Sequence, residues 1–408
     1  MTRTVKEQMT QQAVRAHLAW WGLRHLESDA AYFAWQKEIF TPQELATLHQ
    51  HIEAKRESID GPSAEIAFYD LTANPRSVPV LYSQRYEYYL EIGSRIVRHL
   101  DGALSVLDAG CGIGVLTTFY AQRHPHVRLL GIDRSQASIA LARQRAQELG
   151  LTNVHFECLD MDEAVSGTFD LVVSTHALLQ SEKDPGVPSR DWSTFERAAD
   201  ARAQQHFEQR TGIGRRLDGL CAVLKEQGRM LLFEKTRQLA RRVPFQRALA
   251  VRGLQLLGLP EPIRYRSVEE VTDDGPLYVL GRPPQQKTFT WDESPEIDGE
   301  PVLDMEALRA FSPDGDQPLY ENHSASAQQA WMHLPDKRVA EQRTNIELDG
   351  RQLHVERGRA AEFHYLYCAN TYDQRQLVLI DPARAAVLES YYRDITHGMQ
   401  RESEARVR

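Results

Sequence analysis

The amino-acid sequence predicts an α/β protein with a seven-stranded, mostly parallel sheet that ends in an antiparallel hairpin. A helical N-terminal region precedes this sheet, and a small α+β module follows it. Three observations support the prediction. Apolar runs alternate with helical stretches between positions 104 and 234, a glycine-rich loop follows the first run, and two late strands flank a turn-forming sequence. Near-continuous apolar strands separated by helices are typical of a parallel sheet that is covered on both faces.

Residues 1–100 are predicted to be a helical region that could act as a lid. Apolar residues recur there at helical spacing, and Thr41 followed by Pro42 is a typical helix start. The recurring residues are Val14, Leu18 and Trp21, and later Ile92, Ile96 and Leu100.

The first predicted strand, 104–107, ends in Asp108 and leads into glycines at 110, 112 and 114, before a helical stretch over 115–123. Alternating glycines let the backbone turn sharply off a strand and lie close to a ligand. A dinucleotide loop would need a third glycine at position 115, where the chain has Val115. This pattern therefore disfavours a nicotinamide cofactor.

A second apolar run ends in Asp133, and Ser135 is a suitable N-cap for the helix that follows. An acidic residue about 20 positions beyond such a loop is placed to accept hydrogen bonds from ribose hydroxyls. A third strand over 154–158 is followed by Asp160 and Met161. From the sequence alone, Asp160 could equally be a turn residue.

The pattern Asp108-x-Gly110-x-Gly112-x-Gly114, together with Asp133 and Asp160, resembles the class I S-adenosylmethionine (SAM) dependent methyltransferases. The resemblance covers about residues 100–284. It implies SAM as cofactor, S-adenosylhomocysteine as product, and cofactor contacts from one set of residues. These are Asp108, Ala109, Gly110, Cys111, Gly112, Gly114, Asp133, Arg134, Asp160, Met161 and Ser174.

Two further parallel strands are predicted over 169–174 and 228–234. The closing hairpin is predicted over 263–271 and 276–280, with Asp273-Asp274-Gly275 as its turn. An antiparallel hairpin after five parallel strands is also the topology of the class I methyltransferase fold. We therefore expect a SAM-binding core over 101–284.

Four residues are candidates for catalysis. His176 follows strand four and could act as a base, since histidine titrates near neutrality, although a structural role is as well supported. Glu234 ends strand five, where side chains face the crevice of such a sheet. Tyr82 and Tyr86 share a helix face before the core, where either phenol could meet the sulfonium or simply pack on the sheet.

The acceptor is expected to be a small molecule. The resemblance would place an Asn/Asp-Pro-Pro-Tyr/Phe motif after strand four in enzymes that methylate base amino groups or glutamine, but this chain has Ser174-Thr175-His176-Ala177. Two alternatives stay open: a SAM-using enzyme with another transfer (aminocarboxypropyl transfer or SAM cyclisation), and a non-catalytic SAM-binding interaction protein.

The 408-residue chain has a net charge of −9, which disfavours nucleic acid as a partner. Arginine gathers at 215, 216, 237, 241, 242, 247 and 252, either as a solvated face or as the wall of a pocket for an anion. The four cysteines lie far apart, and no metal site is predicted. With no membrane-spanning stretch or secretory leader in evidence, a cytoplasmic location is expected, and a homodimer through the N-terminal or C-terminal regions is left open.

The remaining chain is predicted to form a linker and a separate module. Residues 285–335 are acidic and rich in proline, which is typical of a linker. The module, 336–408, is predicted to have a hairpin around Asp349-Gly350, two more strands, and a final helix over 382–397.

Overall fold

The computed structural model describes residues 3–57, 63–179, 184–268, 270–282, 289–295, 299–300, 302–311, 317–347 and 350–405. The chain divides into two compact units. Unit 1 comprises residues 1–184, 205–237 and 245–291, and unit 2 comprises residues 185–204, 238–244 and 292–408. Within the described ranges, no helix is both long and apolar enough to cross a bilayer.

Unit 1 begins with six helices: α1 (Arg3–Trp20), α2 (Asp29–Ile39), α3 (Pro42–Glu57), α4 (Ser63–Thr72), α5 (Val78–Ser83) and α6 (Tyr86–Ile96). The predicted start of α3 is confirmed, because the Glu44 amide donates to Thr41 Oγ1 at 3.2 Å and the Thr41 amide donates to Glu44 Oε2 at 2.7 Å. The apolar residues at helical spacing in α1 and α6 lie together in the main core.

The central sheet has the strands β1 (Ser105–Ala109), β2 (Arg128–Asp133), β3 (Val154–Cys158), β4 (Phe169–Thr175), β5 (Leu224–Phe233), β6 (Gln255–Leu256), β7 (Glu261–Ser267) and β8 (Glu270–Gly281). Their order is β3-β2-β1-β4-β5-β8-β6, and β7 also pairs with β8. The first five strands are parallel and β8 is antiparallel to β5, so the predicted fold class is confirmed.

Helices connect these strands: α7 (Val115–Arg123), α8 (Gln136–Glu148), α9 (Ala201–Thr211), α10 (Ile213–Val223) and α11 (Leu239–Val251). Ser135 is the N-cap of α8, as predicted, and its hydroxyl accepts from the Ser138 amide at 3.1 Å. Parallel strands with helical connections bring the carboxyl ends of β1, β2, β3 and β4 to one edge of the sheet.

The predicted hairpin turn at Asp273-Asp274-Gly275 is wrong. These residues lie inside β8, and the connection falls between Ser267 and Glu270. A register shift between Ile263 and Arg264 lies opposite Asp274, since Ile263 pairs with Gly275 and Arg264 with Asp273. Gly275 has a φ of 128°, and a Cβ there would lie 2.8 Å from Thr236 Oγ1. This glycine therefore permits a close approach between β8 and the segment that follows β5, and it does not form a turn.

Unit 2 contains a five-stranded antiparallel sheet of β9 (Tyr320–Asn322), β10 (Arg338–Ile346), β11 (Gln352–Ala360), β12 (Phe363–Asn370) and β13 (Arg375–Ile380), in the order β10-β11-β12-β13-β9. Its helices are α12 (Met305–Ala310), α13 (Ser326–Met332) and α14 (Ala385–Ala405). Tyr365 and Tyr367 of β12 belong to one core cluster, and Leu366 packs with Leu388 and Tyr392 of α14 in another. The predicted hairpin joins β10 to β11, although Leu348 and Asp349 lie outside the described residues.

Part of the segment that was predicted to be a linker, 285–335, is folded. It contains α12, β9 and α13, and β9 pairs with β13 at the sheet edge. Residues 185–204 also belong to unit 2, where Trp192 stacks on His354 at 3.6 Å between ring centroids and Arg197 donates to Asp373. Unit 2 is therefore assembled from three separate stretches of chain.

Candidate functional site

The glycine loop leaves β1 through three residues with left-handed backbones: Gly110 (φ 80°), Gly112 (φ 54°) and Gly114 (φ 79°). The amides of Gly110 and Cys111 both donate to the Ile132 carbonyl, at 2.8 and 3.0 Å. A Cβ on Gly110 would lie 2.2 Å from the Ala177 Cβ, so this position also needs glycine for space. The loop is therefore fixed against the ends of β2 and β4.

Asp133 ends β2 beside this loop. Its carboxylate accepts from the amides of Gly112 and Ser135, each at 2.9 Å. A carboxylate has about four acceptor sites, so two backbone donors leave capacity for a ligand. Burial raises the pKa of Asp133 against the lowering effect of these two amides.

Asp108, one residue before the end of β1, is buried and accepts from Thr117 Oγ1 at 2.6 Å. Burial raises the pKa of Asp108 to about 6, and the nearby Asp133 charge adds to this shift. No cation pairs with Asp108 among the ion pairs of the described residues. A carboxyl in this setting favours a bound cationic group.

A cavity of about 740 Å³ opens beside the loop, and every residue that lines it belongs to unit 1. One wall is formed by the glycine loop and the ends of the first strands. A second wall is formed by helices α2 to α6, and it includes ten aromatic and aliphatic side chains among polar ones. The residues of this second wall include Tyr32, Phe33, Leu48, Ile52, Phe68, Tyr69, Leu81, Tyr82, Tyr88 and Tyr89.

Ten of the fifteen residues that the sequence suggested for the site line this cavity: Tyr82, Asp108, Gly110, Cys111, Gly112, Asp133, Arg134, Asp160, Met161 and His176. The other five, Tyr86, Ala109, Gly114, Ser174 and Glu234, are not among its lining residues. Tyr86 is buried and packs edge-on against His25, with ring centroids 5.4 Å apart. Ser174 is fully buried in β4, and the next residue, Thr175, faces the cavity because side chains alternate along a strand.

Residues 100–244 match the family model of the methyltransferase domain. This match includes the glycine loop, Asp133 and the first five strands of the sheet. Residues 100–244 form a class I SAM-dependent methyltransferase domain.

The methyltransferase domain is similar to two curated enzymes over part of their length. The first is malonyl-[acyl-carrier protein] O-methyltransferase of Acetivibrio thermocellus, at 32% identity over 135 residues, covering 28% of this chain and 46% of that protein. The second is trans-aconitate 2-methyltransferase of Deinococcus radiodurans, at 42% identity over 87 residues, covering 21% of this chain and 32% of that protein. The chain therefore spans less than half the length of these two relatives.

Other relatives have the names of RNA and release-factor methyltransferases. Among solved structures, magnesium protoporphyrin IX methyltransferase of Synechocystis with bound SAM is similar over 49% of this chain and 83% of that one. Its sequence identity is 18% and its TM-score is 0.35.

Glu234 follows β5 of the methyltransferase domain and has a structural environment. Its carboxylate is fully buried and accepts from three successive amides after β4, those of Ala177, Leu178 and Leu179, at 3.0 to 3.1 Å. Burial raises the pKa of Glu234 to about 7. Glu234 therefore holds the chain that follows β4, and its place away from the cavity disagrees with the predicted catalytic role.

His176 lines the cavity, but partners lie close to both of its ring nitrogens. Arg85 donates to Nδ1, and Nε2 lies 3.1 Å from Asp274 Oδ2. Since a guanidinium can only donate, Nδ1 is the acceptor and the ring proton is on Nε2, facing Asp274. Burial lowers the pKa of His176 to about 4. These contacts disfavour the predicted role of His176 as a base toward an acceptor.

A cluster of residues that was not predicted from the sequence surrounds His176. It includes Arg85, Tyr88, Tyr265 and Asp274. Tyr88 stacks on His176 at 5.0 Å between ring centroids, and its hydroxyl donates to Thr175 Oγ1 at 2.8 Å. Tyr265 donates to Asp274. The closeness of Tyr88 to Tyr82 and Tyr86 in sequence was the only available signal, because no motif marks Arg85 or Asp274.

The described part of the chain contains no group of three or more His, Cys, Asp or Glu side chains arranged to hold a metal ion. Of the arginines that gather between positions 215 and 252, Arg216 lines the cavity.

Proposed function

We propose that unit 1 binds SAM against the glycine loop and transfers its methyl group to a small molecule that occupies the same cavity. The main support for this proposal is one cavity of about 740 Å³ whose lining includes both the glycine loop with Asp133 and aromatic residues of the N-terminal helices. Ligand pockets for small molecules measure roughly 300–1,000 Å³. The cavity is therefore large enough for the cofactor and a modest acceptor together.

The acidic residues near the loop would each contact a different part of SAM. Asp133 accepts from the ribose hydroxyls, since its carboxylate keeps free acceptor capacity beside Gly112. Asp108 meets the ammonium group of SAM, whose charge would favour the ionised carboxylate. Asp160 and Met161 lie at the cavity wall after β3, where they would contact the adenine.

Transfer to a small acceptor requires little besides positioning. The sulfonium is already an activated leaving group, so an acceptor lone pair that is held in line with the methyl carbon displaces a neutral thioether. Aromatic side chains in the cavity wall, such as Tyr82, Tyr88 and Tyr89, would reduce the contact of the reacting atoms with water. The name of one curated relative, trans-aconitate 2-methyltransferase, also supports an acceptor of modest size, whereas the other name specifies a malonyl group on an acyl-carrier protein.

Calorimetric titration with SAM, S-adenosylhomocysteine and NAD tests the cofactor assignment. We expect binding of the first two and no binding of NAD; binding of NAD alone would refute the proposal. Incubation of the full chain with SAM and a protein-free metabolite fraction, followed by mass spectrometry, tests the transfer. A gain of one methyl group supports methyl transfer, whereas a gain of an aminocarboxypropyl group, or cyclised SAM without an acceptor, would replace it.

A further inference from the structure

Arg85 lies between α5 and α6 and lines the cavity on the side of β4 and β7. Its guanidinium donates to His176 Nδ1 and lies 4.4 Å from the centroid of the Tyr88 ring. The Tyr265 phenol lies close to it as well. All three of these partners are neutral groups. In the part of the chain that the structure describes, Arg85 forms no ion pair with a carboxylate.

Other arginines at the cavity wall differ in this respect. Arg134 pairs with Glu65, Arg216 lies 3.7 Å from Asp162, and Arg56 lies 3.2 Å from Glu53. Their charges are therefore balanced within the protein. The Arg85 charge faces the cavity among aromatic rings, where removing a cation from water without an anion is costly.

The groups that Arg85 contacts directly have no negative charge. Asp274 lies 3.1 Å from His176 Nε2 and accepts from the Tyr265 hydroxyl, and among the ion pairs of the described residues it has none with Arg85. His176 is neutral, since its pKa is lowered to about 4. The phenol of Tyr88, whose pKa is raised to about 12, is neutral as well. The described groups that contact Arg85 are therefore uncharged, and none of them balances the charge of its guanidinium.

We infer that the acceptor presents a carboxylate to Arg85 and is methylated on a carboxylate oxygen. This inference rests on the proposed function and names the acceptor's reacting group. A planar guanidinium matches a carboxylate in both shape and charge. The topology supports an acceptor site here, because Arg85 is held by residues after β4 and in β7, whereas the proposed cofactor contacts follow β1, β2 and β3.

The chemistry agrees with the absence of a free base at His176. A carboxylic acid with an ordinary pKa of about 4 is already ionised at neutral pH, so no proton has to be removed. A carboxylate oxygen donates a lone pair to the methyl carbon, the carbon–sulfur bond breaks, and its electron pair stays on sulfur. The products are a neutral methyl ester and S-adenosylhomocysteine. The ester loses its charge attraction to Arg85, which favours product release.

The test uses the full chain, SAM with a deuterated methyl group, and a protein-free metabolite fraction of a cell extract. Labelled products are collected and treated with alkali. A methyl ester releases labelled methanol under these conditions, whereas methyl groups on nitrogen, carbon, sulfur or an ether oxygen stay attached. We expect the label to be released by alkali.

Arg85→Gln provides the second arm, with Arg123→Gln as a control that removes the same charge from an exposed site on α7. We expect Arg85→Gln to lower the labelling rate at limiting acceptor by roughly 10- to 100-fold, because a charge-assisted hydrogen bond is lost. Arg85→Lys should recover part of this loss. Both glutamine variants should bind SAM with wild-type affinity, and this binding also shows that the protein is folded.

The outcomes separate the two proposals. Alkali-stable label would overturn the carboxylate assignment while supporting methyl transfer. SAM binding without labelled product would overturn the proposed function together with this inference. One alternative is that Arg85 binds the carboxylate of SAM itself. Binding of decarboxylated SAM, which lacks that carboxylate, tests this alternative. If Arg85→Gln weakens binding of SAM but not of decarboxylated SAM, the inference is overturned.

Discussion

The packing of Gly110 against Ala177 gives a prediction that the structure makes quantitative. Alanine at position 110 would keep a φ of 80° and place its Cβ 2.2 Å from the Ala177 Cβ. Gly112 in the same loop is the matched control, because it also has a positive φ, 54°, but no atom lies within 4 Å of its added Cβ. The two substitutions therefore differ in steric overlap.

The expected loss in the free energy of unfolding has two contributions, backbone strain and steric overlap. A left-handed backbone at an L-residue costs roughly 1–2 kcal/mol. Relieving an overlap in a packed region costs about 1–3 kcal/mol more, because carbon atoms prefer a separation of ~3.5–4.0 Å. Gly110→Ala should therefore destabilise unit 1 by about 2–5 kcal/mol, and Gly112→Ala by about 1–2 kcal/mol.

Ala177→Gly removes the opposing atom and completes a double-mutant cycle. The double variant Gly110→Ala, Ala177→Gly should regain the overlap contribution, giving a coupling of about 1–3 kcal/mol. Hydrogen exchange of β1 and β2 peptides in urea measures the stability of this unit separately from unit 2. Equal costs for Gly110→Ala and Gly112→Ala, or additive effects in the cycle, would refute the steric argument.

Three further predictions concern the acidic and basic groups of the site. Asp133→Ala should weaken SAM binding by roughly 10-fold or more, because the ribose loses a charged acceptor; unchanged affinity in calorimetry would remove Asp133 from the site. SAM affinity should fall as pH drops below about 6, since protonated Asp108 cannot pair with the ammonium group; Asp108→Asn should abolish this pH dependence in the same titrations. His176 has its pKa lowered from 6.5 to about 4. The unfolded chain therefore takes up a proton at higher pH than the folded chain, and the free energy of unfolding should fall by up to about 3 kcal/mol between pH 6.5 and 4; urea unfolding of His176→Gln should lack this slope.

The parallel core could be predicted from sequence because its signals are local. Each of the first strands is a short apolar run, and the residues that follow, such as Asp108 and Asp133, lie close to the strand end. The hairpin was placed wrongly because Asp273-Asp274-Gly275 has the composition of a turn. The need for Gly275 comes from Thr236, a neighbour across the fold that local sequence does not reveal.

In the candidate site, too, contacts between residues far apart in sequence could not be predicted from local sequence. A one-residue difference decides whether Ser174 or Thr175 faces the cavity, and strand phase cannot be predicted so finely from composition. Glu234 was expected to face the crevice, but its carboxylate accepts hydrogen bonds from backbone amides after β4. That backbone includes His176 with a φ of 54°, a conformation that the sequence gives no reason to expect at a histidine.

The three-part make-up of unit 2 affects how the protein is synthesised. Residues 185–204 leave the ribosome early, yet the fully buried guanidinium of Arg197 pairs with Asp373, which lies 176 positions later. At roughly 5–20 residues per second, that partner follows about 10 to 35 seconds afterwards. During this interval Arg197 lacks its later partner Asp373, Trp192 lacks its stacking partner His354, and the segment remains open to chaperones and proteases. A chain that stops before β12 would keep this segment exposed permanently, so truncated products should be removed quickly by cellular quality control.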